Sequence, residues 1–120
     1  RDRSVSRGLG DVYKRQSCDY PIYGKAVAEA IAAGKQDLGI LICGTGIGMS
    51  MVANKVEGVR AALCSDCFSA QATREHNNAN VLCMGARTIG PGLALMIVDK
   101  FVDTPFSNDE RHVRRIKMFS

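Results

Sequence analysis

Residues 38–48, LGILICGTGIG, join a continuous apolar run to a glycine-rich turn. The apolar run at 38–43 has no polar alternation, which is typical of a strand buried on both faces of a parallel sheet. Helical patterns flank it, at 21–32 before a stop at Gly34 and at 47–55 after the turn. This order predicts a ligand-binding edge at the carboxyl end of the strand.

The rest of the chain repeats the alternation of strand and helix. Apolar runs predict strands at 59–64 and 80–84, and helical spacing predicts helices at 67–76, 91–102 and 108–119. Short connections between alternating elements indicate an α/β domain with a parallel sheet and helices on both faces. The pattern contains three strands, which is few for a parallel sheet.

The first residues, RDRSVSRGLGDVYKRQ (1–16), show neither the periodicity of a helix nor that of a strand. We interpret them as a non-native or disordered leader because the string resembles a translated sequencing-adapter read-through. The predicted domain is then 17–120. The leader holds five basic and two acidic residues, so it carries +3 of the formal net charge of +4. The near-neutral remainder does not favour a nucleic-acid partner.

Composition indicates a folded protein, since 46% of the residues are hydrophobic. No apolar run reaches the roughly 18–20 residues of a membrane helix, so no membrane partner is expected. The five cysteines are odd in number, and three of them lie in or beside apolar runs. This usage favours reduced thiols over a disulfide framework, and we expect a cytoplasmic protein.

Cys43 precedes the glycine-rich turn Gly44–Gly48. Glycines allow a tight turn and a close approach of backbone to ligand, so the turn is predicted to bind an anion or oxyanion. Its spacing departs from G-x-G-x-x-G, and no lysine follows as in a phosphate-binding P-loop. Cys43 is a candidate base or nucleophile, and the alternative is a buried apolar cysteine.

Two further candidates lie later in the chain. Histidine is suited to acid-base chemistry, so His76, followed by Asn77, could act as an acid or base, or could simply cap a helix. Arg111 and Arg115 are four residues apart on one predicted helix face, which suits a phosphate but also a solvated helix end. The Cys64–Cys67 C-x-x-C motif has no second cysteine pair, so a metal site is not favoured.

Four stretches carry a resemblance to a known family: Asp19-Tyr20-Pro21, DLGILICGTGIGMSMVANKVEGVRA (37–61), REHNNANVLCMGAR (74–87) and RHVRR (111–115). They resemble the ribose-5-phosphate isomerase B family, which includes galactose-6-phosphate isomerase subunits. The resemblance implies a Rossmann-like three-layer α/β/α fold. It also implies interconversion of ribose 5-phosphate and ribulose 5-phosphate without metal or cofactor. The implied assembly is a homodimer, or a dimer of dimers, with active sites at the subunit interface.

The resemblance also implies roles for particular residues. Cys43 would be the base that moves a proton between C1 and C2, Thr45 would assist proton handling, and His76 would open the sugar ring. Some relatives instead use a glutamate at the position of Ile47. The implied substrate-binding residues are Gly44, Thr45, Gly46, Ile47, Gly48, Asn77, Arg87, Arg111 and Arg115.

The leader departs from the family pattern. Family members begin with a strand that ends in an Asp-His pair, followed by a helix and a second strand. Residues 1–16 contain no such pair. We therefore expect the first strand-helix-strand unit to be missing and the leader to stay out of the sheet. The alternatives are a galactose-6-phosphate or allose-6-phosphate isomerase of the same family, an inactive fragment, or a non-catalytic nucleotide-binding module.

Overall fold

A computed structural model describes residues 5–7 and 19–120. Its helices in these ranges are Tyr20–Ala32 (α1), Ile47–Ala53 (α2), Cys67–Asn77 (α3), Pro91–Asp103 (α4) and Glu110–Lys117 (α5). Its strands are Val5–Arg7 (β1), Leu38–Cys43 (β2), Ala61–Leu63 (β3) and Val81–Gly85 (β4). The alternation confirms the predicted α/β class.

The strands form one parallel sheet in the order β1-β2-β4-β3. β2 and β4 pair from Gly39 opposite Val81 to Cys43 opposite Gly85. Because the strands are parallel, their carboxyl ends share one edge of the sheet. Cys43 and the end of β4 therefore lie side by side.

β1 corrects one expectation. Residues 5–7 pair in parallel with Leu38, Gly39 and Ile40, so the prediction that the leader stays out of the sheet is wrong for these three residues. β2 pairs with β4 along one side only. The backbone N–H and C=O groups along its other side find hydrogen-bond partners in β1. The other leader residues lie outside the described ranges, and the division of the chain after residue 16 stays a prediction.

Helices cover both faces of the sheet. On one face α1 and α2 pack against β2 and β4, in a core that includes Val27, Ile31, Leu41, Met49 and Cys83. On the other face α3 and α4 pack against the same strands, in a core that includes Ile40, Ala70, Leu82, Ile97 and Phe101. Successive residues of β2 and β4 alternate between the two cores, which explains the unbroken apolar runs. The predicted three-layer architecture is confirmed.

The ends of α3 follow the expected local chemistry. Asp66 caps its start, where the carboxylate accepts a hydrogen bond from the Ser69 N–H at 2.6 Å. Asn78 ends the helix in the left-handed conformation, at φ 49°. The helix thus runs from the carboxyl edge of the sheet to its amino edge. Within 5–7 and 19–120 no helix is long and apolar enough to cross a membrane.

Candidate active site

The turn after β2, residues 43–48, is called here the thiol loop. The Gly46 N–H donates a hydrogen bond to the Cys43 sulfur at 3.0 Å. Gly46 adopts φ 82°, and a Cβ there would lie 2.6 Å from Leu63 Cδ1 and 2.8 Å from the Met84 carbonyl carbon. Glycine is required at this position. Any other residue would have a strained backbone at this φ, and its Cβ would overlap Leu63 and Met84. The path directs an N–H group at the thiol.

Thr45 lies in the same loop with its side chain exposed. Its hydroxyl oxygen accepts a hydrogen bond from the Ile47 N–H at 3.2 Å. A hydroxyl that accepts through its oxygen still has a proton to donate. Thr45 can therefore offer a hydrogen bond to a ligand beside Cys43.

The segment after β4 holds the loop from the other side. The Ala86 N–H donates to the Cys43 carbonyl at 2.7 Å, and the Arg87 N–H donates to the Gly44 carbonyl at 3.0 Å. A Cβ on Gly44 would lie 3.7 Å from Arg87 Cδ and 3.8 Å from its Nε. The structure thus brings the exposed Arg87 side chain to the thiol loop.

The cysteines in 19–120 differ in environment. Burial, reinforced by the neighbouring Cys43 and Cys64 thiols, raises the pKa of Cys83 to about 12. Burial and then the Asp66 carboxylate raise the pKa of Cys64 to about 11. Of the four cysteines described, Cys43 is the one whose sulfur accepts a backbone hydrogen bond. This contact distinguishes Cys43 from the other described cysteines.

The described residues contain no group of three metal-binding side chains. Cys64 is buried at the end of β3, and Cys67 opens α3. The C-x-x-C motif thus connects β3 to α3, and Asp66 within it caps the start of α3.

A second group of polar side chains forms where α3 meets α5. It comprises His76, Ser107, Arg111 and His112, and is called here the histidine cluster. The His76 and His112 ring centroids lie 4.5 Å apart, with the ring planes inclined by 38°. His76 is exposed, whereas His112 is only 8% exposed. Sequence reasoning missed His112, because its burial depends on how α5 packs.

The other predicted residues at this end are exposed. Asn77 lines a cavity of about 450 Å³ together with Arg60 and Phe119. Arg115 lies on α5, one turn beyond Arg111. These positions leave the side chains open to a ligand or to another chain.

A buried arginine fastens the end of α3 to α4. The Arg74 Nε donates to the Thr104 carbonyl at 3.0 Å, and its Nη1 donates to the Ala79 carbonyl. The guanidinium carbon lies 5.7 Å from the centroid of the Phe101 ring. Arg74 therefore holds the backbone that follows His76, a structural role that the sequence pattern alone did not indicate.

The thiol loop and the histidine cluster lie at opposite ends of the strands. The loop follows the carboxyl end of β2, and the cluster lies near the amino end of β4. His76 lies in the last turn of α3, just before β4 begins at Val81. Val81 pairs with Gly39, four residues before Cys43. Four residues of strand span about 13 Å. The two groups are therefore separated by roughly the length of the strand, and Arg111 lies with His76 rather than with the loop.

Comparison with known proteins decides the family. The family model described as Ribose/Galactose Isomerase matches residues 6–119. The chain belongs to the ribose/galactose isomerase family. The predicted family is thereby confirmed, and with it the class of enzyme, a sugar-phosphate isomerase.

Members of the ribose/galactose isomerase family resemble the chain over most of its length. Ribose-5-phosphate isomerase B of Escherichia coli is 47% identical over 117 residues, covering 94% of this chain and 78% of the relative. Galactose-6-phosphate isomerase subunit LacB of Clostridium acetobutylicum is 46% identical over 98 residues, covering 82% of this chain and 57% of the relative. The type B ribose 5-phosphate isomerase structure of Trypanosoma brucei superposes with a TM-score of 0.92 at 38% identity, covering 99% and 97% of the two chains.

Proposed function

We propose that the chain interconverts ribose 5-phosphate and ribulose 5-phosphate, with Cys43 as the base. The observation that carries this proposal is the Gly46 N–H donated to the Cys43 sulfur at 3.0 Å, in the loop that also presents Thr45. The fixed donor holds the sulfur in one place at the carboxyl end of β2, as a base that must reach a substrate carbon requires. The exposed Arg87 side chain adds positive charge beside it.

The reaction needs only proton transfers. The Cys43 thiolate takes the proton from C2 of the open aldose, and the released electron pair forms the C1–C2 double bond as negative charge moves to O1. The thiol then returns the proton to C1 while the O2 proton passes to O1, so that O2 becomes the carbonyl oxygen and O1 a hydroxyl. C2 is oxidised and C1 is reduced within one substrate, so no outside electron acceptor is required.

The loop can stabilise the charge that develops on the oxygens. Backbone N–H groups are effective when they are fixed in advance where an oxyanion forms. The Thr45 hydroxyl can exchange a proton with O1 or O2, because its oxygen already accepts the Ile47 N–H. The enediolate oxygens thus face the hydrogen-bond donors of the thiol loop, at the carboxyl end of β2.

The histidine cluster supplies ring opening and phosphate binding. His76 takes a proton from the anomeric hydroxyl and delivers one to the ring oxygen, with Asn77 on a sugar hydroxyl. Arg111 and Arg115 bind the phosphate, together with Arg87. Binding energy from this non-reacting group holds C1 and C2 against the sulfur.

These roles require two chains. A pentose phosphate is shorter than the distance between the sheet edges that carry Cys43 and His76. A homodimer that brings the thiol loop of one protomer to the histidine cluster of its partner completes two equivalent sites. The separation at opposite edges supports this arrangement.

Mixing two inactive variants tests the proposal. Cys43→Ala and His76→Ala chains, unfolded together and refolded, should regain about a quarter of the wild-type turnover on ribose 5-phosphate, because half of the dimers are mixed and each contains one intact site. Each variant refolded alone is the control. A mixture no more active than its components, beside an active wild type, would reject the two-chain site.

The similarity to a galactose-6-phosphate isomerase subunit supports a second candidate, isomerisation of a hexose 6-phosphate. Comparing kcat/KM for ribose 5-phosphate, allose 6-phosphate and galactose 6-phosphate decides between them. We expect the pentose to be preferred. A hexose preference would replace the proposed substrate, and no turnover on any of the three would favour the inactive fragment.

A further inference from the structure

His76 lacks an anchor of its own. Its side chain is exposed, and no hydrogen bond to its ring is found in residues 19–120. Its ring contact is with His112, at 4.5 Å between centroids. An acid-base group must stay within hydrogen-bond reach of the atoms that it serves. The neighbouring ring is therefore what limits the orientations of His76.

His112 is itself fixed at both ring nitrogens. Its Nδ1 lies 2.9 Å from the Ser107 hydroxyl oxygen, and its Nε2 lies 3.4 Å from Arg111 Nη2. A guanidinium has donors and no acceptor, so Nε2 must accept and the proton must be on Nδ1. The Ser107 hydroxyl oxygen then accepts a hydrogen bond from the Nδ1–H. The contacts select one neutral tautomer of the buried ring.

Ser107 connects this ring to the helix that carries His76. Its N–H donates to the Glu75 carbonyl at 3.2 Å, one residue before His76. Its hydroxyl oxygen also accepts the Asp109 N–H at 3.2 Å. The path from Glu75 through Ser107 and His112 returns to His76, so the contacts form a closed circuit between α3 and α5. Such a circuit holds a side chain more tightly than a single contact does.

We infer that His112 is a positioning residue for His76, held by Ser107 and Arg111 as a neutral imidazole with its proton on Nδ1. The inference rests on the proposed function, in which His76 opens the sugar ring. His112 also touches Arg111, a proposed phosphate ligand.

Kinetics can separate ring opening from the proton transfer at carbon. Ribulose 5-phosphate is open, so solvent deuterium enters its C1 position through Cys43 without any ring opening. His112→Phe keeps a ring against His76 but loses the Nδ1–H. A misplacement of about 1 Å can slow a reaction up to a hundredfold, so we expect turnover of cyclic ribose 5-phosphate to fall about tenfold. Deuterium exchange into ribulose 5-phosphate should change less than about twofold.

Ser107→Ala should likewise lower turnover of cyclic ribose 5-phosphate much more than deuterium exchange. The control is Arg114→Ala, which changes an exposed residue of α5 outside the cluster and should lower neither quantity. Thermal unfolding of each variant checks that the fold is kept. Equal losses in turnover and in deuterium exchange by a folded His112→Phe protein would overturn the positioning role.

A second measurement does not depend on activity. The sequence contains two histidines, so nitrogen-15 histidine labelling gives NMR signals from His76 and His112 alone. We expect His112 to be protonated at Nδ1, and the contacts between the two rings to weaken in Ser107→Ala. A proton on Nε2, or ring contacts unchanged in that variant, would reject the inference. If the unlabelled wild type shows no isomerase turnover, the proposed function is rejected. The NMR spectra would still test whether His112 positions His76.

Discussion

The thiol loop and the histidine cluster are built by different means. The loop consists of consecutive residues whose positions follow from the backbone, above all from the left-handed Gly46. The cluster joins side chains from α3, α5 and the segment between α4 and α5. The loop is therefore sensitive to a single added atom on the backbone, and the cluster is sensitive to the packing of one helix on another.

The largest effect should come from the thiol loop itself. Cys43→Ala removes the proposed base and should lower turnover of ribose 5-phosphate by about 10²–10⁴-fold, the usual contribution of a positioned base. Binding of the substrate should change little, because the phosphate contacts remain. Steady-state assays and calorimetric titration measure the two quantities. Cys67→Ser, a second cysteine outside the loop, is the control, and near-normal turnover in Cys43→Ala would make Cys43 a packing residue only.

The backbone of the loop can be tested separately from its sulfur. Gly46→Ala introduces a side chain at positive φ and against the backbone of Met84, which should lower the free energy of unfolding by about 2–4 kcal/mol. Turnover should fall too, since the N–H that points at Cys43 is displaced. Gly92→Ala on α4 is the matched control, because its added Cβ would meet no other part of the described protein within 4 Å beyond its own helix backbone and chain neighbours. Denaturant unfolding that shows equal stability for the two variants would contradict the tight approach.

The end of α3 offers a comparable test beside the histidine cluster. Arg74→Met leaves the Thr104 and Ala79 carbonyls without this donor, and should lower the free energy of unfolding by about 2–3 kcal/mol. Arg114→Met on the exposed face of α5 should change it by less than about 0.5 kcal/mol. Urea titration measures both. A loss in Arg74→Met no larger than the control's would show that the buried guanidinium does not hold this corner.

The smallest effect should come from the cap at the other end of α3. Hydrogen bonds from the backbone and side chain of Ser69 lower the pKa of Asp66 below its usual range. A lowered pKa in the folded state stabilises the protein above the unfolded value of about 3.9, and this stabilisation is lost as pH falls through the folded value. The melting temperature of Asp66→Asn should therefore lie slightly below that of the wild type at pH 7, and the gap should narrow as the pH falls below about 3.9. A gap independent of pH would assign the effect to the cap's shape and not to its charge.

Sequence reasoning predicted features that depend on local chemistry. The strand at 38–43, the helix that begins at residue 67 and the thiol loop all follow from residues next to one another in the chain. Val5–Arg7 was missed because three residues carry no usable period, and the pairing is imposed by the open edge of β2. His112 was missed for a related reason, since in the sequence it stands inside a basic run and only the packing of α5 on α3 buries it.

Helix α3 fixes the spacing between the two edges of the sheet. It begins at Cys67, beside the strand ends that carry the thiol loop, and it ends one residue after His76. One inserted residue would turn His76 by about 100° around the helix axis and shift it by about 1.5 Å. Among proteins that share this arrangement, the segment from Asp66 to Asn78 should therefore keep a constant length even where its exposed residues change. A deletion there would be as damaging as the loss of a catalytic side chain.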